Sequence, residues 1–414
     1  MLGSRKVAVL GGDKFRDEYS LAFDGSDDAI HLGDTTVWDG LADLTISAWI
    51  KVDASASGIN PILCKGTYNT NEQPFHLRFY PGGSGNGRLS FSVERDSDES
   101  DGEGGFAYAN NLDSLMLGKW ANIAVVYSNT NDSFKIYVNG VEKVLFSGST
   151  VWNGTFIDIP SEDAPARIGS DDGTNHFQGN ISEIATYNSA LTASQVKTIY
   201  NGRESYNHKE GIASSNLLTW WRMGDGVNDD PNVDSEGGVI GDEVTPTLGP
   251  ELWDSTASTF DGGSSTYAWT AYSGTTISND SNTLKIVKDD DTTGDGENGA
   301  YVYLRDSKDL STDLTVTKMY KLSFDVKVDS GDSVVVMLSE AGGTDNVDAV
   351  ITHTDFKRYT FYFQAGHATN VYIGAFNMST GEIVWFDNMS LREIGGYAGA
   401  MQNMTPSDFT GDTP

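Results

Sequence analysis

A single cysteine, Cys64, stands among 414 residues, so no intrachain disulfide can form. It lies in the apolar run Pro61-Ile62-Leu63-Cys64, which points to a buried, inert thiol. Basic residues are also scarce: 27 Lys and Arg face 59 Asp and Glu, a net charge of −32. A surface of that sign repels phosphate backbones and gains nothing from counterion release, so no nucleic-acid partner is expected. No apolar run reaches membrane-spanning length, so no membrane insertion is expected either. The stretch Val7-Ala8-Val9-Leu10 is too short for a signal-peptide core, and export by such a leader is not expected. The six histidines are scattered without metal-ligand spacing. Gly-x-Ser-x-Gly and His-Glu-x-x-His do not occur. Long helical periodicity is nearly missing.

What remains is strand after strand. The 46 glycines and 11% aromatic content suit many short strands joined by tight turns, and 38% hydrophobic residues are enough for real cores. Tyr19–Phe23, Leu44–Ile50, Phe75–Tyr80 and Arg88–Val93 alternate with period two, the signature of half-buried strands. Phe134–Val138 and Val141–Leu145 flank Asn139-Gly140, a type I′ hairpin signal. Thr192–Arg203 alone reads as helix, with Thr192 as its cap. A Gly-, Asp- and Pro-rich stretch then interrupts, after which alternation resumes in Tyr320–Val328, Arg358–Phe363 and Val371–Phe376.

The predicted architecture is all-β: two tandem antiparallel β-sandwiches, both jelly rolls, with an N-terminal arm and a short C-terminal tail. The arm spans 1–18, the first sandwich 19–223, the linker 224–250, the second sandwich 251–394 and the tail 395–414. Arm and tail have little core of their own. They are expected to gain order from neighbouring chains, burying Val7, Val9, Leu10, Met401 and Met404.

Two motifs carry no chemistry in context. Gly294-Asp295-Gly296-Glu297-Asn298-Gly299 fits a dinucleotide fingerprint, but a strand-like Ala300–Leu304 follows where a helix N-terminus is needed. Asp289-Asp290-Asp291 opens like an EF-hand loop, yet the twelfth position is Ala300 and the bidentate Glu is missing.

Five phrases in order resemble laminin-G-like domains of the concanavalin A superfamily. They are Leu21–Ile30, Thr45–Ile50, Gly118–Tyr127, Ile136–Val141 and Phe177–Asn188, closed by the helix Leu191–Tyr200. The second sandwich, with its closing Ile383–Leu391, is similar to jelly-roll carbohydrate-binding modules of the kind found in families four and nine. The phrase Trp220–Gly226 and the ending Met401–Thr405 resemble segments of virion proteins of marine tailed phages. There the two phrases often lie close together; here the second sandwich separates them.

These resemblances set the expectations. Glu94-Arg95-Asp96-Ser97-Asp98-Glu99 fits the Glu-x-Asp-x-x-Glu pattern of concanavalin A-fold glycoside hydrolases, whose paired carboxylates need a walled, dry cleft. Here polar residues intervene and an acidic loop follows, so no enzyme activity is expected. Structural Ca²⁺ is implied by both families, with Asp24, Glu183 and, more loosely, Asp27 as ligands in the first sandwich and Asp387 in the second; the alternative is turn capping. Trp269, Tyr272, Trp38 and Trp152 lie among polar residues and are the candidate sugar platforms, whereas Trp49, Trp120 and Trp385 read as core. The implied function is a non-enzymatic structural or adhesion protein on the surface of a tailed phage virion, a fibre or capsid decoration. Its partners would be other virion proteins, copies of itself in a homotrimer, and cell-surface glycans. The alternative is a bacterial surface or secreted carbohydrate-binding protein, accessory to polysaccharide degradation.

Overall fold

The computed structural model describes residues 17–66, 74–82, 87–94, 104–146, 150–151, 156–162, 164–171, 175–203, 206–226, 229, 239–244, 247–261, 265–290, 298–340 and 347–414. They form four antiparallel sheets packed as two sandwiches, as the alternation predicts. No helix among them is long and apolar enough to cross a membrane.

Sheet I runs Val141–Lys143, Ser133–Val138, Ala121–Ser128, Asp43–Val52, Gln178–Tyr187, Ser20–Asp24 and Phe409–Thr410, and Leu217–Trp221 also pairs with Gln178–Tyr187. Sheet II runs Thr150–Val151, Gly104–Ala109, Arg88–Glu94, Phe75–Tyr80, Asn60–Lys65, Pro165–Ile168, Ala29–Asp34, Gly399–Gln402 and Val239–Ile240. Period-two alternation builds the core between them: Leu44, Ile46, Ala48 and Ile50 of sheet I meet Phe75, Leu77, Phe79, Leu89 and Phe91 of sheet II. The far side of sheet I is covered by the helix Ala193–Tyr200, whose Val196 and Ile199 pack with Ala124, Val126 and Tyr187.

Sheet III runs Thr270–Ala271, Ala300–Tyr303, Val371–Phe376, Val334–Glu340 and Val347–Ile351. Sheet IV runs Thr275–Asn279, Leu284–Lys288, Ile383–Glu393, Met319–Val328 and Lys357–Gln364. Val302, Ile373, Val336 and Leu338 of one interleave with Leu322, Phe324, Phe361 and Phe386 of the other.

The C-terminal segment corrects one expectation. Met401 and Met404 are buried, but in the core of the first sandwich of their own chain and not against neighbours. Gly399–Gln402 pairs with Ala29–His31, and Phe409–Thr410 with Ser20–Leu21. Asp412 fastens the end: its carboxylate accepts from Trp120 Nε1 at 2.9 Å and pairs with Lys51, and its carbonyl accepts from Ser20 Oγ at 2.7 Å. Val239–Ile240, within the stretch read as linker, pairs with Gly399–Ala400. The second sandwich is thus carried as an insertion between strands of the first. Val7, Val9 and Leu10 lie outside the described residues.

Candidate functional site

Sheet III has one face in the core and one outside. In Ala300–Tyr303 the residues Ala300 and Val302 face inward, so Tyr301 and Tyr303 face out. In Val371–Phe376 the inward residues are Val371, Ile373 and Ala375, which turns Tyr372 out. Register brings them together, with Tyr303 opposite Tyr372 and Tyr301 opposite Gly374. The rings meet edge to face: Tyr301 and Tyr303 at 5.5 Å, Tyr303 and Tyr372 at 5.7 Å, Tyr301 and Tyr372 at 5.9 Å. Tyr272 extends the group at 5.0 Å from Tyr301, and the Arg305 guanidinium lies 4.8 Å over Tyr303. A Cβ at Gly374 would stand 2.6 Å from the Ala300 carbonyl and 2.9 Å from Tyr301 Cβ, so only glycine fits the floor between the rings.

The structure treats the predicted platforms unequally. Tyr272 joins this half-buried face. Trp269 does not: it is the one inward side chain of Thr266–Thr270, buried in the second core 5.1 Å from Phe386, while the others of that segment stay half-buried or exposed. Trp38 is fully buried between sheets I and II, its Nε1 donating to Thr186 Oγ1 at 3.1 Å. Trp152 lies outside the described residues. Among the residues read as core, Trp49 is buried beside Tyr200, while Trp120 and Trp385 are half-exposed on outer faces. Tyr301, Tyr303 and Tyr372 are not among the predicted platforms, although tyrosine in the outward phase of Ala300-Tyr301-Val302-Tyr303 is a readable signal.

The carboxylates separate as well. Asp24, Asp27 and Asp28 place one oxygen each within 4.8 Å of one another at the turn after Ser20–Asp24, the one such acidic group among the described residues. Asp24 accepts from Ser26 N at 2.7 Å, and these turn bonds hold its carboxyl below the usual aspartate range even though burial opposes them. Burial pushes Asp28 up to about 6, with Asp24, Asp408 and Asp27 adding repulsion. Three carboxylate oxygens so gathered are donors of the hard type that Ca²⁺ takes, three of the six to eight oxygens such an ion needs.

Glu183 is not with them. Asp24 stands opposite Gln178 and Leu21 opposite Ile181, so Glu183 lies beyond the other end of that short ladder. It sits at an irregularity of Gln178–Tyr187 with φ 51, accepting from Trp220 Nε1 at 2.6 Å and Arg222 Nε at 3.2 Å. Its expected pairing with Asp24 fails because the buried indole and guanidinium claim it. Asp17, half-buried beside it, accepts from Ser182 Oγ at 3.0 Å. Asp387 lies on the outer face of sheet IV, opposite Asp325, and among the described residues no three carboxylates there bring their oxygens within 4.8 Å of one another. Burial raises its pKa, and Asp325 and Asp261 add to the shift. Of the hydrolase-like pattern, Glu94 ends its strand, whereas Asp96 and Glu99 lie outside the described residues.

Residues 24–197 match the concanavalin A-like lectin/glucanases superfamily. No curated protein matches the chain. Among solved structures, the chain is similar to a heptameric SAP-like pentraxin of Limulus polyphemus, at 19% identity over 44% of this chain and 82% of that one, TM-score 0.34. It is also similar to the CBM40 module of a Ruminococcus gnavus IT-sialidase bound to α2,3-sialyllactose, at 15% identity, covering 44% and 96%, TM-score 0.33. A third is tailspike protein 2 of a phage of Escherichia coli O157:H7, at 13% identity, covering 52% of this chain and 31% of the tailspike, TM-score 0.35. The match over residues 24–197 falls on the first sandwich, which is similar to laminin-G domains over those residues.

Proposed function

We propose that this is a non-enzymatic glycan-binding protein whose inserted sandwich holds sugar on the outer face of sheet III. The observation that carries this reading is the convergence of Tyr301, Tyr303 and Tyr372 on a face where alternation ordinarily leaves polar residues. Rings of this kind offer apolar area to a pyranose face and a phenol to its hydroxyls. The laminin G-like sandwich is a second lectin-type module, and Ca²⁺ at Asp24, Asp27 and Asp28 would brace its first turn.

Within that reading, we assign the protein to the outer surface of a tailed phage particle, as fibre or decoration, beside other virion proteins and copies of itself. Support comes from the two virion-like phrases, which share one core: Met223 of the first packs in the same cluster as Met401 and Met404 of the second. A charge of −32 suits an outward face better than one turned to packaged DNA. The competing placement is a secreted or cell-surface protein accessory to polysaccharide degradation.

Titrating uncharged oligosaccharides into the whole protein tests the sugar face. Binding that Tyr301→Ala and Tyr372→Ala each weaken about tenfold, with melting nearly unchanged, is the expected result. Binding indifferent to both variants would refute it. Turnover of laminarin, agarose or alginate that Glu94→Gln abolishes would refute the non-enzymatic reading. Recovery in culture supernatant and not in purified particles would refute the virion placement.

A further inference from the structure

Sheet IV presents a second aromatic group on the opposite side of the inserted sandwich. Leu284, Ile286, Val384, Phe386, Val326 and Val328 face the core, so Lys285, Trp385 and Lys327 face out. The register lines them up across three adjacent strands, Lys285 opposite Trp385 and Trp385 opposite Lys327. Both ammonium groups lie over the indole, 5.4 Å and 4.8 Å from its centroid. Lys327 is also 4.9 Å from the ring centre of Phe356, which is 39% exposed. The indole N–H donates to Asp280 at 3.3 Å.

What sets these lysines apart is the partner they do not have. Acids outnumber bases more than two to one in this chain. Yet among the described residues neither lysine has a carboxylate within ion-pair distance. Arginines of the same face do, Arg358 with Asp325 at 3.2 Å and Arg392 with Glu251 at 3.3 Å. A ring face holds an ammonium weakly at an exposed site and leaves its charge intact. A carboxylate would hold it and cancel it. The face therefore keeps two positioned, uncancelled positive charges around an aromatic surface, in a molecule whose net charge repels anions in general. Of the acids on this face, Asp280 accepts from the indole N–H at 3.3 Å and forms no ion pair with either ammonium, while Asp325 and Asp387 stand further along the strands, and Asp325 is already engaged by Arg358 and by Asn388 Nδ2 at 2.7 Å.

We infer that Trp385, Lys285 and Lys327 form a subsite for an acidic sugar residue, a hexuronate or a sulfated hexose of a polysaccharide. The pyranose packs on the indole and Phe356, and its carboxylate or sulfate takes charge-assisted hydrogen bonds from the two ammonium groups. The ligand class rests on the glycan-binding reading above, but the residues lie on the other sheet, so the two can fail separately.

The test measures affinity of the full chain for alginate and dextran sulfate, with laminarin and dextran as uncharged counterparts, at low and physiological salt. The double variant Lys285→Gln/Lys327→Gln should lose about tenfold or more toward both acidic polymers and nothing toward the uncharged ones. The Lys285→Arg/Lys327→Arg variant should retain acidic binding. Lys143→Gln/Lys197→Gln, on the first sandwich, controls for net charge. Three results would overturn the subsite: no binding of either acidic polymer by the wild type, full binding by the Lys285/Lys327 glutamine variant, or an equal loss in the control pair. Loss of laminarin binding in no tyrosine variant would instead count against the sheet III face alone.

Discussion

Replacing Trp269 with alanine should cost the inserted sandwich about 3–5 kcal/mol, because it empties a site packed against Phe386 in the core. Tyr301→Ala should cost far less, since its ring is half-exposed and only cross-strand contacts are lost. Denaturant unfolding of the two variants checks this; equal losses would mean that the tyrosines are core and not a binding face. A second residue-scale expectation concerns Asp17. Burial pushes its carboxyl up to about 9, with Glu183 and Asp225 adding to the rise. An unfolded aspartate loses its proton near 3.8, so between that value and about 9 the fold holds an extra proton. This contribution is complete at low pH and is lost as pH rises through about 9. Glu183 shifts upward by burial too, opposed by Arg222. Asp17→Asn, which stays neutral, should flatten the decline of the melting temperature between pH 5 and 9. An unchanged slope would place the titrating group elsewhere.

Among the elements, the turn between Ser20–Asp24 and Ala29–Asp34 is the one whose stability should answer to a cation. Without one, Asp28 keeps its proton up to about 6 in the fold and to about 3.8 unfolded, so stability falls as pH rises through about 6. Ca²⁺ should remove that decline and add about 2.7 kcal/mol at a hundredfold excess over Kd. Melting curves with EDTA and with Ca²⁺ should separate at pH 7, draw together at pH 5, and coincide at both in Asp28→Asn. Curves that coincide at pH 7 in the wild type would leave these residues as turn caps. Local elements were legible because their signals are local. Asn139 and Gly140 take φ 54 and 69, as a type I′ turn requires. Thr192 and Gln195 form a reciprocal capping box at the start of the helix. Strand phase was legible as well, since Phe75, Leu77 and Phe79 fall on one face. Aromatic placement outside regular alternation was not: Trp269 stands among polar neighbours in the chain, and its burial depends on Phe386, far along the sequence. Asp28 is adjacent in the chain to Asp27 and close to Asp24, and what the sequence does not show is its burial, the largest cause of its raised pKa.

At the scale of the molecule, the return of the C-terminal segment was the least legible feature, since Gly399–Gln402 has meaning only beside Ala29–Asp34. Its consequence is a cassette. Where the chain leaves the first sandwich and where it comes back, the two strands run side by side: Gly249 N donates to the Glu393 carbonyl at 2.8 Å, Gly395 N to the Thr247 carbonyl at 2.7 Å, and Leu248 bridges Ile394. Such neighbours are about 5 Å apart, a gap that a two-residue turn spans. The cores on either side share no buried residue. Contact between the sandwiches includes one small apolar cluster, in which Met319 and Tyr362 meet Val239, Ile394 and Ala398. Excising Gly249–Glu393 and joining Leu248 to Ile394 through Asn-Gly should therefore leave a folded first sandwich. Its loss should be modest, because Val239, Ile394 and Ala398 become exposed while Met401 and Met404 stay in the core. The excised segment, made alone, should also fold, since its core closes without help. Calorimetry of the whole chain should then show two transitions, each matching one of the separated pieces to within a few degrees. If the excised protein shows no cooperative transition and no protected amides, the apolar cluster is essential and the two sandwiches fold as one body.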